Sequence, residues 1–339
     1  MADRRGFLKL TGGAAAAGTF GLAGCTGGGG GDGGDGGDEF SDYPSQEVQW
    51  KNGGSSGGGF DQYSRAIAQF MPNNLPGDGD IVVQTMGSWT QANSQIYRAD
   101  PDGYTLGIVN IPGNIVTQVL QDPPWDLTEL SWFGRVARSV YAMGVASDGP
   151  VSSWEDLKDL GRPARFATTG QGTSTLSTIL GATALGIDFE LVTGYAGSPE
   201  MVTGLLRGDA DALQLPATTT PMANAIEEGE VTPVLYYGED PTEFGLSSDV
   251  PTVSDAGQPE LEGQANLQRS VAAPPGASDA LVSFLESAFQ ETVQSDEFTS
   301  WAEEQGRPVS WTGAEEISTA VTEAVSFIED NADVFDQYL

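Results

Sequence analysis

Short apolar runs alternate with amphipathic stretches along most of this chain. Residues 47–50 predict a first strand, and after a glycine-rich loop apolar residues recur at helical spacing from Phe60 to Phe70. This helix is expected to end before Pro72, because proline cannot continue a helix. Further strands are predicted over residues 81–83, 104–109, 132–136 and 140–145.

The second half of the chain repeats the alternation. Strands are predicted over residues 165–167, 210–213 and 231–237, and helices over residues 174–185, 198–206, 277–304 and 314–338. The chain passes through residues 270–273 before the last two helical stretches. Strands alternating with helices are typical of an α/β fold with mixed, mostly parallel sheets. About 290 residues are available for folded structure, which is enough for two lobes.

Residues 1–25 have the composition of an export signal. Arg4 and Arg5 precede an apolar stretch rich in alanine and glycine, which ends in the tetrad LAGC at Cys25. The paired arginines resemble a twin-arginine (Tat) signal, and the tetrad resembles a lipobox, whose cysteine becomes lipidated. Cys25 is the only cysteine, so it has no intramolecular disulfide partner. We therefore expect lipidation of Cys25; a free thiol near the terminus is the alternative.

Residues 26–46 predict a flexible tether. They are dominated by glycine with scattered aspartates, and such a segment cannot offset its own ordering entropy. A coil of this length reaches roughly 25 Å. A calcium site is the alternative, but the aspartate spacing does not match known calcium loops.

The charge balance restricts the class of protein. The chain has 14 basic and 48 acidic residues, no histidine and a net charge of −34. Nucleic-acid binding is excluded, because it needs clustered basic residues. Self-repulsion of this size opposes folding at ordinary ionic strength and is screened in molar salt, where the Debye length is about 3 Å. We therefore expect a halophilic protein that works in an extracellular, high-salt environment.

No catalytic motif is visible. Without histidine the usual acyl-transfer triads and zinc sites cannot form. No phosphate-binding loop, dinucleotide fingerprint or nucleophile elbow is present. The sequence therefore predicts a protein that is not an enzyme and has no cofactor and no metal site.

Three loops share one design, in which a strand leads through Gly, Ser and Thr residues into the start of a helix. They span residues 55–59, 169–174 and 195–198. Helix N-termini with hydroxyl and backbone N–H donors favour an anion. The alternative for each loop is ordinary N-capping.

Eight motifs in register resemble one family. Residues 99–106 read ADPDGYTL, which resembles the signature of substrate-binding proteins of tripartite tricarboxylate transporters, the Bug or TctC-like family. The other motifs lie at residues 57–61, 126–136, 167–175, 195–197, 208–211, 249–252 and 273–276. The whole pattern is that of a haloarchaeal-type, Tat-exported lipoprotein of this family.

The resemblance implies a two-lobed, periplasmic-binding-protein-like fold of type II character with a hinged cleft. It implies capture of a small organic anion, similar to a di- or tricarboxylate, and its delivery to membrane permease subunits by a monomer held only by its lipid. Lobe 1 is expected to comprise residues 47–143 and 272–339, and lobe 2 residues 144–271. The hinges are expected near residues 142–148 and 269–272.

The loops and the resemblance together predict a set of ligand-binding residues. They are Ser55, Ser56, Gly57, Gly58, Asp61, Gly87, Ser88, Trp89, Asn110, Gly113, Gln171, Gly172, Thr173, Ser174, Tyr195, Gly197, Ser198 and Gln214. Trp89 either lines the cleft or only packs its own helix. Ala196 replaces a family lysine and Leu215 a family aspartate, which favours a carboxylate without an ammonium group.

Other functions remain open at this point. The same fold serves in a sensor that signals to a membrane kinase and in a solute receptor of the TRAP-associated (TAXI-like) type. A surface enzyme is the third alternative, which the missing histidine and nucleophile motifs disfavour.

Overall fold

Two five-stranded sheets organise the part of the chain that the computed structural model describes, residues 39–170, 172–264 and 266–338. In spatial order, the first sheet contains β2 (Ile81–Thr85), β1 (Val48–Asn52), β3 (Thr105–Ile111), β10 (Leu267–Ala273) and β4 (Ser131–Ser139). The second contains β7 (Phe189–Val192), β6 (Ala164–Ala167), β8 (Ala212–Pro216), β5 (Tyr141–Ala146) and β9 (Val231–Tyr236). We refer to the two halves as lobe 1 and lobe 2.

The sheets have the same design. In lobe 1, β1 is parallel to β2 and β3, and β10 is antiparallel to β3 and β4. In lobe 2, β6 is parallel to β7 and β8, and β5 is antiparallel to β8 and β9. Four strands of each sheet therefore run in one direction and one strand is reversed. This confirms the predicted α/β fold with two mixed sheets.

The chain crosses between the lobes immediately before each reversed strand. It leaves lobe 1 at Val140, between β4 and β5, and returns at Asn266, directly before β10. Both crossings lie a few residues before the expected hinges. The apolar pattern continues through Val140, so periodicity did not mark the position where strand pairing changes from one sheet to the other.

The described residues contain eleven α-helices, of which the last four follow the final strand, β10. They are α1 (Gly59–Phe70), α2 (Trp89–Tyr97), α3 (Gly113–Gln121), α4 (Thr173–Ala184), α5 (Ser198–Leu206), α6 (Thr220–Glu227), α7 (Leu261–Gln264), α8 (Asp279–Val293), α9 (Asp296–Glu304), α10 (Ala314–Asp330) and α11 (Ala332–Asp336). The predicted starts of α1, α4 and α5 agree to within one residue. The helical stretch predicted over residues 277–304 is two helices, because Ser295 caps α9 through the Phe298 N–H. Helices α3, α6 and α7 were not predicted, and α2 was expected only as the helix that carries Trp89.

Aromatic side chains fill the core of lobe 1. Trp50 packs edge-to-face on Phe133 at 6.4 Å between ring centroids, and Phe133 on Phe289 at 5.7 Å. Tyr63 and Ile67 on α1 are fully buried beside them. The apolar face that predicted α1 therefore fixes this helix against the sheet, with its N-terminus at the carboxyl end of β1.

The folded structure begins before residue 47. Phe40 stacks on Phe284 at 4.8 Å. Tyr43 is buried and its hydroxyl donates a 2.6 Å hydrogen bond to the Gly103 carbonyl. The expected tether is therefore too long at its C-terminal end, because these two aromatic side chains pack on lobe 1. Residues 1–38, including the predicted signal and Cys25, lie outside the described residues.

The C-terminal segment contacts both lobes. Helix α10 packs on β4 and α3 in lobe 1, whereas α11 contacts α4 in lobe 2. Tyr338 stacks on Phe189 of lobe 2 at 4.5 Å. The sequence predicted that residues 332–338 belong to lobe 1, but they contact lobe 2 as well. No helix in the described ranges is both long and apolar enough to span a membrane.

Candidate ligand-binding site

The two lobes face each other through six strand-to-helix connections. In lobe 1 the connections run from β1 to α1, β2 to α2 and β3 to α3. In lobe 2 they run from β6 to α4, β7 to α5 and β8 to α6. Ligands of open α/β sheets bind outside the carboxyl ends of the strands. The lobes touch here, since Thr173 Oγ1 lies 3.5 Å from Asn110 Oδ1 and donates to it.

A cavity of about 520 Å³ lies between the lobes; we call it the central cavity. Its walls are the first turns of α1, α4, α5 and α6 together with Tyr63, Asn110, Tyr141, Leu215, Arg269 and Arg307. None of its described lining residues is an aspartate or glutamate, in a chain with 48 acidic residues. The described residues also contain no acidic or cysteine cluster that could hold a metal ion.

Four helix N-termini point to the central cavity without a capping side chain. The N-cap residues of α1, α4, α5 and α6 are Gly58, Gly172, Gly197 and Thr219, and none of them accepts a hydrogen bond through its side chain. Ser88, Ser278 and Ser295 cap the helices α2, α8 and α9, whereas α3, α10 and α11 also begin without a side-chain cap. First-turn N–H groups without a cap, at the positive end of a helix dipole, attract an anion. The helices around the cavity are therefore arranged for an anionic ligand.

Arg269 is the main cationic group of the cavity. Its side chain is 8% exposed, and its Nη1 donates a 2.9 Å hydrogen bond to Ser139 Oγ. Its Nε is buried without a hydrogen-bond partner, and no described carboxylate forms an ion pair with it. Burial lowers the pKa of its guanidinium, although an arginine remains charged at neutral pH.

Aromatic rings hold the Arg269 guanidinium in place. It lies 5.2 Å from the ring centroid of Phe60 and 5.1 Å from that of Tyr63. Burial raises the pKa of Tyr63 to about 12, so its hydroxyl is neutral and supplies no counter-charge. These cation–π contacts orient the arginine but leave its charge without an anion.

Arg307 adds a second positive charge to the central cavity. It is half-buried, and its Nε donates a 2.9 Å hydrogen bond to Gln62 Oε1 on α1. It forms no ion pair with a described carboxylate. The central cavity therefore presents two arginines and four helix N-termini to whatever lies inside it.

A second cavity of about 530 Å³ adjoins the first; we call it the side cavity. Its lining residues are Trp89, Asn110, Gly113, Asn114, Val116, Thr117, Leu120, Gln121, Gly170, Gly172, Leu176 and Tyr338. Asn110 and Gly172 line both cavities.

The structure brings about half of the predicted ligand-binding residues to these two cavities. The central cavity is lined by Asn110, Gly172, Thr173, Ser174, Gly197 and Ser198, and Trp89 and Gly113 line the side cavity. Neither cavity is lined by Ser55, Ser56, Gly57, Gly58, Asp61, Gly87, Ser88, Tyr195 or Gln214. Gln171 lies outside the described residues.

Asp61 holds the first loop in place instead of lining a cavity. Its buried carboxylate accepts hydrogen bonds from the Gly57 N–H at 2.9 Å, from Arg65 Nε at 3.0 Å and from the Thr85 hydroxyl. Burial alone would raise the pKa of Asp61, but these hydrogen bonds outweigh it, and the pKa lies below its usual value. A carboxylate satisfied in this way fixes the turn before α1.

Gln214 belongs to the core of lobe 2. It is fully buried, its Nε2 donates to the Tyr237 hydroxyl at 2.6 Å, and its Oε1 accepts from Ser177 Oγ at 2.8 Å. Both ends of the amide are therefore satisfied by the protein. The prediction that Gln214 binds the ligand disagrees with this arrangement, because the side chain has no exposed surface.

Trp89, the first residue of α2, contacts a neighbouring helix as well as a cavity. It packs edge-to-face on Phe60 at 4.7 Å and also lines the side cavity. A Cβ atom on Gly53 would lie 2.6 Å from the Trp89 Cα. Glycine at position 53 therefore allows the start of α2 to approach β1 closely.

Sequence reasoning missed the two arginines and the start of α6. Arg269 lies on β10 and meets Phe60 and Ser139 only through tertiary structure. The start of α6 did carry a signal, because β8 is followed by Ala217, three threonines and then a proline in the first helical turn. This connection resembles the other three loops in its hydroxyl side chains but contains no glycine.

Three solved structures share this fold. A TctC solute-binding protein from Polaromonas superposes with a TM-score of 0.72 at 17% identity, covering 87% of this chain and 99% of that one. MatC from Rhodopseudomonas palustris, solved with malate, gives 0.64 at 19% identity, with coverages of 85% and 99%. A second R. palustris protein, solved with adipate, gives 0.64 at 25% identity, with coverages of 86% and 98%.

No curated protein matches the chain. A family model described as the tripartite tricarboxylate transporter family receptor matches residues 65–327, which is more than half of the chain and includes most of the motifs. This protein therefore belongs to the tripartite tricarboxylate transporter (TctC) receptor family.

Proposed function

We propose that this protein is an extracytoplasmic receptor that closes on a small organic carboxylate and delivers it to the membrane permease of a tripartite transporter. The lobes supply the two sides of the site. The family supplies the expectation of a permease partner, and the solved relatives with malate and adipate support a carboxylate as the ligand class.

The observation that carries the proposal is the unpaired charge of Arg269. Burying a charge is costly unless it is paired and hydrogen-bonded. Arg269 is buried in a cavity without acidic residues, and no described carboxylate pairs with it. A ligand carboxylate would complete this site, because guanidinium and carboxylate groups match in geometry.

The same walls disfavour an amino acid as the ligand. An ammonium group in the central cavity would be desolvated beside two arginines, without an acidic partner. Leu215, at the position of the family aspartate, is buried and lines the cavity. We therefore propose a carboxylate without an ammonium group, and two arginines suit a ligand with more than one carboxylate.

Titration calorimetry with a panel of di- and tricarboxylates at molar KCl tests the proposal. The matched variants are Arg269→Met in the cavity and Arg98→Met, which removes the same charge from an exposed position at the end of α2. Arg269→Met removes the buried partner of the ligand carboxylate and should weaken binding by about 2–5 kcal/mol. Arg98→Met should bind the ligand like the wild type. A panel without any binder, or equal affinity of wild type and Arg269→Met, would contradict the proposal.

We further infer that the protein is exported as a lipoprotein and works in brine as a monomer. The signal-like residues 1–25, the single Cys25 and the net charge of −34 support this inference. Salt near 1 M screens charges beyond about 3 Å, against about 10 Å at 0.1 M. The free energy of unfolding should therefore rise with KCl concentration, and a stability independent of salt would argue against a halophilic origin.

A further inference from the structure

A row of three side chains connects the central cavity with the side cavity. The Arg269 guanidinium lies 5.2 Å from the Phe60 ring, and Phe60 meets Trp89 edge-to-face at 4.7 Å. Arg269 and Phe60 line the central cavity, and Trp89 lines the side cavity. The two cavities meet at Asn110 and Gly172, which line both of them, so a ligand bound at Arg269 can extend into the side cavity.

The two cavities differ in charge. The central cavity contains two arginines, whereas no described residue that lines the side cavity is charged. Leu120 and Leu176 present aliphatic surface there, and Trp89 and Tyr338 present rings. Its polar lining residues, Asn110, Asn114, Thr117 and Gln121, are neutral. The side cavity therefore offers apolar contact area and neutral hydrogen-bonding groups but no partner for a second charge, which suits an uncharged part of a ligand.

Both lobes and the C-terminal segment build the side cavity. Val116 and Leu120 come from α3 in lobe 1, and Leu176 comes from α4 in lobe 2. Tyr338 contributes to the wall while its ring stacks on Phe189 at 4.5 Å. A ligand group in this space would contact both lobes and so would favour their closed arrangement.

We propose that the side cavity binds an uncharged ring or alkyl group of the same ligand whose carboxylate lies at Arg269. The ligand class is then a carboxylate with an apolar substituent, and a compact tricarboxylate would leave the side cavity unused. This inference rests on the proposed function, because the carboxylate at Arg269 sets where the substituent points.

Two ligand pairs with matched charges test the inference by calorimetry at molar KCl. One pair is succinate and benzylsuccinate, and the other is propanoate and 3-phenylpropanoate. Each buried methylene is worth roughly a fourfold gain in affinity, so the ring should increase the affinity of the wild type at least about tenfold. The side cavity is then blocked by Val116→Trp, and Val119→Trp is the control. Both valines are half-buried on α3, but Val119 lines a separate surface depression with Pro123 and Asp126.

Val116→Trp should abolish the advantage of the ring and change the affinity for succinate less than about twofold, whereas Val119→Trp should retain the advantage. Thr117→Phe replaces Val116→Trp if circular dichroism shows that the latter is not folded. Binding of succinate that depends on Arg269 but gains nothing from a ring would overturn this inference and leave the proposed function standing. Failure of both members of both pairs to bind would overturn the proposed function as well.

Discussion

Arg269 donates a hydrogen bond of 2.9 Å from its Nη1 to the hydroxyl of Ser139. Ser139 is the last residue of β4, and the chain crosses to lobe 2 at the next residue. The cation that faces the central cavity is thus bonded directly to the residue that precedes the crossing between the lobes. We therefore expect an anion that pairs with Arg269 to act on the segment where the lobes are joined, and so to link ligand binding to lobe closure.

The unpaired Arg269 should reduce the stability of the ligand-free protein. Replacing a buried charge by an apolar side chain of similar volume is often neutral or stabilising, by about 1–4 kcal/mol. The urea concentration at the midpoint of unfolding should therefore be at least as high for Arg269→Met as for the wild type, although this variant binds the ligand poorly. Arg98→Met is the control for the change in net charge. A strong destabilisation by Arg269→Met alone would show that the arginine serves the fold.

Asn266 should be essential for the return crossing between the lobes. Its buried Oδ1 accepts from the Tyr141 N–H at 3.1 Å, and its Nδ2 donates to the Tyr237 carbonyl at 2.8 Å. Asn266→Leu leaves these buried backbone groups unpaired, which costs about 1–3 kcal/mol for each group. We expect a clear loss in the free energy of unfolding, measured with urea. Asn224→Leu, on the exposed side of α6, should change it by less than about 0.5 kcal/mol.

Asp211 should stabilise lobe 2 through two arginines. Its carboxylate accepts from Arg162 Nη1 at 2.6 Å and from Arg165 Nη2 at 2.9 Å. Burial alone would raise the pKa of Asp211, but the hydrogen bonds from both arginines hold it far below its usual value. Asp211→Asn should cost about 1–3 kcal/mol at pH 7, at the lower end because both arginines are partly exposed.

The pH dependence of this contribution follows from the direction of the pKa shift. A carboxylate whose pKa is lowered by folding contributes fully above its unfolded pKa of about 3.9 and loses the contribution as the pH falls toward its folded pKa. The difference in stability between wild type and Asp211→Asn should be constant between pH 5 and 7 and shrink only below about pH 4. The nearby exposed Asp209 supplies the control variant Asp209→Asn, and a difference that already shrinks near pH 6 would contradict the assignment.

Cys25→Ser should separate anchoring from binding. If Cys25 carries the lipid, this variant is released from the membrane fraction of the native host and retains the ligand affinity of the wild type. Fractionation followed by calorimetry on the released protein provides the measurement. Loss of binding in the released variant would show that Cys25 contributes more than an anchor.

Local patterns predicted those parts of the fold that depend on neighbouring residues. The apolar spacing from Phe60 to Phe70 predicted α1, and the Gly, Ser and Thr loops predicted the starts of α4 and α5. The same reasoning placed Gln214 among the ligand-binding residues, although its amide is satisfied inside lobe 2. Residue type alone does not show whether a polar side chain faces a ligand or a partner in the core.

Motifs and periodicity in the sequence were sufficient to predict the family and the α/β fold, and the Gly, Ser and Thr loops were sufficient to predict where α4 and α5 begin. The position of Arg269 in the central cavity became visible only in the tertiary structure. Arg269 reaches Ser139 and Phe60 across 130 and 209 residues of chain, after β10 has returned from lobe 2 to pair with β3 and β4. No local pattern encodes such a contact, since it depends on the packing of both lobes.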